Sequence, residues 1–132
     1  MGMNVIVVSN FDSMSEEVAK IISGQIISNP SSVLGLATGS SPLGVYRLLE
    51  EYYRRGVDFS DVTTFNLDEY VGLAPDHPQS YRHYMEKNLF SRVNIPRERT
   101  FIPNGVAADL QEECQRYEQL MKRAGGIDLQ IL

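Results

Sequence analysis

The sequence predicts an α/β protein: a mostly parallel sheet with helices on both faces. Three observations point there. Short β-branched or apolar runs recur along the chain, amphipathic helical stretches separate them, and capping residues or glycines mark the joints. Strands that alternate with helices in this way run parallel, because each helix carries the chain back to the end where the next strand begins. With 132 residues the chain suits one domain with a real core.

Each element has its own signal. Residues 4–9 (NVIVVS) form a β-branched run that reads as a buried strand. Ser13, with Glu16 three residues on, makes a capping box that opens a helix to about residue 28, and Val18, Ile21, Ile22 and Ile26 fall on one of its faces. Residues 32–37 (SVLGLA) read as a second strand. Leu43, Tyr46, Leu49 and Tyr53 then recur at helical spacing until Gly56 stops the helix. Residues 61–67 (DVTTFNL) have strong β propensity and form the third strand. A loop containing Pro75 and Pro78 follows, and Ser80 caps a short helix through Phe90. Residues 99–103 (RTFIP) read as a fourth strand. Asp109 with Glu112 opens a last helix to Ala124, closed by Gly125 and Gly126, and residues 127–132 (IDLQIL) begin a fifth strand. There is no internal repeat, linker or low-complexity segment. Met1, Gly2 and Met3 read as a start or expression scar, so the single domain is taken as 4–132.

Composition narrows the function. A net charge of −5 argues against a broad nucleic-acid surface, yet a few local N–H groups can still hold a phosphate on an acidic protein. Cys114 is the sole cysteine, which rules out an intrachain disulfide and makes a reducing, cytoplasmic setting the expectation. No signal peptide is visible and no apolar run approaches a membrane span.

Two loops carry the chemistry. In a parallel α/β sheet, ligands bind outside the carboxyl ends of the strands, and both loops follow strands directly. The first is ATGSSPLG, where strand passes into helix. Pro42 suits the first helical position, Ser41 then becomes the N-cap, and Gly39 lets the backbone turn sharply or approach a ligand. With the hydroxyls of Thr38, Ser40 and Ser41, this resembles a phosphate cradle at a helix N-terminus. The plain alternative is a good cap beside an ordinary turn. The loop has neither the Gly pattern of a dinucleotide site nor the Gly-Lys-Ser/Thr of a nucleotide loop, so a smaller phosphorylated ligand fits better. The second loop, in FNLDEYVGL, sets Asp68 and Glu69 at a strand end. Adjacent residues of an extended chain point to opposite sides. One carboxylate is thus a candidate general base beside a carbonyl, and the other a residue that orients the loop or the following helix. The alternative is a strand end meeting solvent.

Together, GLATGSSPLGVY, FNLDEYVGL, HPQSYRHYMEKNLF and NIPRERTFIPNG resemble the glucosamine-6-phosphate deaminase family, from Met3 to Leu132. The resemblance implies a Rossmann-like three-layer sandwich, commonly oligomeric. It implies conversion of glucosamine 6-phosphate to fructose 6-phosphate and ammonia, with no metal or organic cofactor. Thr38, Gly39, Ser40 and Ser41 match the family's phosphate loop. Asp68 matches the acid that takes the C2 proton of the opened sugar and returns it at C1, and Glu69 matches a supporting position. Related 6-phosphogluconolactonases carry Asp-Glu-Arg where this chain has Asp68-Glu69-Tyr70, which favours the deaminase over lactone hydrolysis. A sugar-phosphate sensor without chemistry is the remaining alternative. In the family, a strand like IDLQIL continues into an Asn-Gly-His and an Asn-Glu-Pro segment that open the sugar ring. The sequence stops at Leu132, before them, so it is expected to be the amino-terminal half of the enzyme and inactive alone. The expected partners are a small phosphosugar and, for the full-length protein, further copies of itself, with no nucleic acid or membrane.

Other residues carry less. His77 and His83 lack a second ligand at metal spacing, Cys114 reads as a small packed side chain, and Tyr52 to Arg55 read as a helix end. Tyr81 and Tyr84 are expected to pack the loop after Asp68.

Overall fold

The computed structural model describes residues 5–132. Four helices and four strands follow one another as α1 (Phe11–Ser28), β1 (Val33–Leu36), α2 (Leu43–Arg54), β2 (Thr63–Asn66), α3 (Tyr81–Asn88), β3 (Thr100–Phe101), α4 (Leu110–Arg123) and β4 (Leu129–Gln130). The described strands form one sheet in the order β3-β2-β1-β4, with every pair parallel. In the β1–β2 register Leu36 stands opposite Asn66, so the chain leaves both strands at the same edge.

Alternation along the strands divides the core between two faces. Leu34 and Leu36 pack under α1, α2 and α3 through Ile22, Ile26, Tyr46, Leu49 and Met85. Val33 and Phe65 face the other way, against Tyr117 of α4. Phe65 stacks on Phe101 at 4.9 Å between centroids and meets Tyr117 edge-on at 5.7 Å. Helices therefore cover both faces, as the sequence pattern requires.

Several boundaries differ from the sequence expectation. The expected scar at Met1 to Met3 and the first strand residue, Asn4, lie outside the described residues. Residues 5–8 form no strand, with Val5 74% and Val7 88% exposed. Their β propensity is real, but strand structure needs a neighbouring edge to take its backbone bonds, and none lies beside them among the described residues. Helix α1 starts two residues before Ser13, because extended Asn10 is the cap and its side-chain oxygen accepts the Ser13 N–H at 2.8 Å. Helix α2 starts one residue late: Pro42 is itself the cap, and the Ser41 hydroxyl makes no capping bond. The Leu43 N–H turns back to the Ser40 carbonyl instead. Helix α3 ends at Asn88, and Phe90–Arg92 continue as a 3-10 turn.

The other joints follow the local chemistry. Gly56, at φ +113, closes α2 by bonding Tyr53 while Val57 bonds Tyr52, a paired C-cap that favours glycine. Ser80 caps α3 by accepting the His83 N–H, and Asp109 caps α4 by accepting from Gln111 and Glu112. Cys114 is exposed rather than packed, since it lies one residue off the Glu113–Tyr117 buried stripe of α4.

Among the described residues β4 pairs only with β1, and Ile6, Val7 and Ile27 are exposed. An open strand edge beside apolar surface recruits other chains. The 132-residue chain expressed alone is therefore expected to self-associate, as read by light scattering. A monodisperse, cooperatively melting monomer would contradict this.

Candidate functional site

The β1 and β2 exits set the site. With Leu36 opposite Asn66, Thr38 and Asp68 each lie two residues beyond their strand, side by side at the carboxyl edge of the sheet. Both border one cleft of about 280 Å³, whose floor includes Leu36 and Gln130. Thr38 also borders a larger cavity of about 820 Å³ with Gly39, Tyr81, His83, Tyr84 and Lys87. Thr38 is thus the wall between the two spaces.

The loop after β1 has an unequal backbone. Ala37 gives its N–H to the Tyr46 hydroxyl at 3.1 Å, and its carbonyl accepts from the same hydroxyl. The Gly39 carbonyl accepts from the Tyr84 hydroxyl at 2.5 Å, and the Ser40 carbonyl accepts from Leu43. By contrast, the N–H groups of Thr38, Gly39, Ser40 and Ser41 donate to no acceptor among the described residues. Gly39 sits at φ +102, a left-handed conformation that folds successive N–H groups toward one side. Thr38 is half-buried, Gly39 and Ser40 are exposed at the outer bend, and Ser41 is exposed beside a separate apolar groove along α1 and β4. Carbonyls tied back and amides left free are what an anion needs at the start of a helix.

The two tyrosine phenols are kept as donors. Burial is the main cause in each case, raising Tyr46 well above the ordinary phenol value and pushing Tyr84 up to about 12. Tyr84 borders the larger cavity together with Tyr70, Val71 and Leu73 of the loop after Asp68, and it also reaches the loop after β1. Its ring meets Tyr46 edge-on at 6.4 Å, which carries its hydroxyl to Gly39.

The loop after β2 is strapped on both sides. Asp68 is exposed, with no hydrogen bond or ion pair among the described residues. Glu69 points the other way and accepts the N–H groups of Tyr70 at 2.9 Å, Tyr81 at 2.7 Å and Arg82 at 3.1 Å, so it ties the loop to the first turn of α3. Tyr70 lies against Tyr81 with centroids 4.6 Å apart. The Tyr81 phenol is raised chiefly by hydrogen bonding with Tyr70, with a smaller contribution from the Asp68 charge and an opposing one from the Thr38 hydroxyl. Tyr81 also borders the larger cavity with Thr38 and Gly39, so it faces both loops.

On the opposite side the Gly72 N–H donates to the Gly105 carbonyl at 2.7 Å. A Cβ on Gly105 would lie 2.0 Å from the Tyr70 carbonyl oxygen, so the two backbones touch directly. The turn before Gly105 is fixed by Glu113, which accepts the Asn104 N–H at 2.8 Å and grips Arg116 with both oxygens. That Arg116 pairing, ahead of the Asn104 bond, holds the Glu113 carboxyl below its ordinary value. Beneath the loop, the Tyr117 hydroxyl shares its proton between the carbonyls of Asn66 and Phe101. Tyr46 and Gly105 close the segments GLATGSSPLGVY and NIPRERTFIPNG, and Glu113 follows the α4 cap, but none shows its role locally, because each acts through a partner outside its own turn.

His77 takes the Gln79 N–H on its Nδ1 in the surface loop, and His83 borders the larger cavity. Among the described residues no group of three or more His, Cys, Asp or Glu side chains converges as a metal site, and no helix is long and apolar enough to cross a membrane.

Comparison with known proteins gives a consistent result. Residues 9–132 match the family model for glucosamine-6-phosphate isomerases and 6-phosphogluconolactonase. The chain is 57% identical over 131 residues to the glucosamine-6-phosphate deaminase of Thermoanaerobacter sp. strain X514, covering 98% of this chain and 52% of that protein. For the Halothermothrix orenii deaminase the identity is 54%, covering 98% and 54%. Among solved structures, a monomeric glucosamine-6-phosphate deaminase superposes with a TM-score of 0.94 at 43% identity, over 97% of this chain and 54% of that one. The 6-phosphogluconolactonase of Thermotoga maritima superposes at 0.74 with 22% identity, over 96% and 56%, which is a likeness of fold alone. The chain spans about half the length of the curated relatives it matches.

Proposed function

The chain belongs to the family of glucosamine-6-phosphate isomerases and 6-phosphogluconolactonases, and from that premise we propose that the whole protein is a glucosamine-6-phosphate deaminase. The observation that carries the reading is the pairing, across one cleft, of Thr38 with its uncommitted backbone amides and the free carboxylate of Asp68. A phosphosugar has an anion at one end and an acidic C–H beside a carbonyl at the other, so it needs both.

In this reading Thr38, Gly39, Ser40 and Ser41 hold the phosphate through backbone N–H and hydroxyl groups. Asp68 takes the C2 proton of the opened sugar and returns it at C1 through an enol-type intermediate, which leaves an iminium at C2; water adds there, the C–N bond breaks, and ammonia departs as the C2 ketone of fructose 6-phosphate forms. Glu69 supports by holding the loop on α3. Ring opening falls to residues beyond Leu132. The lactonase alternative is weaker: relatives at 50–57% identity are named glucosamine-6-phosphate deaminases, whereas the lactonase structures resemble the fold at low identity. The proposal also takes the site to work without a metal or organic cofactor. It places the protein in the cytoplasm as a homo-oligomer, although a relative that is monomeric makes a size measurement on the full-length protein the test of assembly.

The deciding experiment offers the full-length protein glucosamine 6-phosphate and 6-phosphogluconolactone side by side. Ammonia and fructose 6-phosphate are expected from the first, with background hydrolysis of the second. The isolated 132-residue chain is expected to stay at background on both. The reverse preference would overturn the reading.

A further inference from the structure

We propose that Tyr46 and Tyr84 are positioning residues which orient the Thr38 and Ser40 peptide groups so that their N–H bonds, not their neighbours' carbonyls, face the substrate's anionic end. The inference rests on the phosphate-loop reading above and adds what sets that loop's polarity.

A trans peptide is planar, so the carbonyl of one residue and the N–H of the next point in opposite directions. The Ala37 carbonyl is drawn to the buried Tyr46 hydroxyl, which directs the Thr38 N–H away from Tyr46. The Gly39 carbonyl is drawn to the Tyr84 hydroxyl at 2.5 Å, which directs the Ser40 N–H away from α3. Neither N–H donates to an acceptor among the described residues. The two phenols act as a unit, since their rings pack edge to face at 6.4 Å although they come from different helices. Gly39 is why such a clamp is needed. It is exposed, at φ +102, and without a side chain the flanking peptide planes turn over at small steric cost. A flipped plane would present a carbonyl dipole to an anion and repel it. The clamp removes that alternative before the ligand arrives.

The test uses the full-length protein with Tyr84→Phe, which keeps the ring pair and deletes only the hydroxyl. The KM for glucosamine 6-phosphate and the Ki for inorganic phosphate are expected to rise together, by about five- to tenfold, with a much smaller fall in kcat. Tyr46→Phe is expected to act in the same direction. A direct readout comes from amide NMR: inorganic phosphate added to the wild type should perturb the Thr38 and Ser40 N–H signals most, and the Ser40 response should shrink in Tyr84→Phe. Equal phosphate affinity in wild type and variant, or a loss of kcat at unchanged KM and Ki, overturns the inference and leaves the deaminase reading standing. Shifts in the wild type centred away from Thr38 and Ser40 overturn the phosphate-loop reading as well. Because that titration needs no variant, a poorly folding substitution does not shield the proposal.

Discussion

Asp68→Asn in the full-length protein is expected to lower kcat for glucosamine 6-phosphate by about a thousandfold, within the range for loss of a positioned general base, while KM changes little. The substitution keeps the shape of the side chain and removes its ability to take a proton. It should not disturb the fold, because Asp68 is exposed and has no hydrogen bond or ion pair among the described residues. Its thermal midpoint should therefore match the wild type, and calorimetry should find sugar phosphate bound with similar affinity. Running the reaction in heavy water adds a second reading: protium retained at C1 of the product is the proton carried over from C2, and deuterium enters C1 only as far as the protonated acid exchanges with solvent first. The experiment separates an enzyme from a sensor: a protein that only binds a phosphosugar loses nothing with this change. Activity retained within tenfold of wild type would remove Asp68 from the chemistry.

How much of this site was legible in the sequence follows from the range of each interaction. The presence of β1 to β4 and their parallel order were readable, because propensity and alternation are local properties and parallel strands put both loops on one edge, although each strand is shorter than its expected run. For helix α1 the local pattern pointed to Ser13, and the extended backbone that makes Asn10 the cap instead is not encoded in that pattern. The run at residues 5–8 has strand composition, but composition cannot supply a partner edge. The roles of Tyr84 and Gly105 were hidden for a related reason. Tyr84 bonds a carbonyl 45 residues away. Gly105 matters through its distance to Tyr70, which no local pattern encodes. Spacing alone told Asp68 and Glu69 apart only as pointing to opposite sides, with the family resemblance giving Glu69 the supporting position; the three N–H groups of Tyr70, Tyr81 and Arg82 show that the scaffold uses Glu69 for itself.

Gly105→Ala is expected to be the most damaging change at a position outside the candidate site residues. The added Cβ would sit 2.0 Å from the Tyr70 carbonyl oxygen and 3.2 Å from the Glu69 side chain, and the first of these obstacles is backbone. Glu113 holds Asn104 from behind, and Gly72 bonds the Gly105 carbonyl, so neither side of the contact can simply drift away. The loop of residues 69–72 must lift, and Asp68 moves with it. Overpacking of this kind costs about 1–3 kcal/mol, and an ångström of misplacement at a reacting group costs about a hundredfold in rate. Circular-dichroism melts and steady-state kinetics on the full-length protein would therefore show a lowered midpoint together with a loss of kcat. Gly72→Ala supplies the contrast. Gly72 sits at φ +94, and a Cβ there would have no atom within 4 Å, so alanine meets backbone strain without a collision. It should lower the melting point while sparing kcat more than Gly105→Ala does, because strain at Gly72 does not press on the stretch that carries Asp68. If Gly105→Ala kept wild-type kcat, the contact with Tyr70 would hold the loop together without setting the position of the acid.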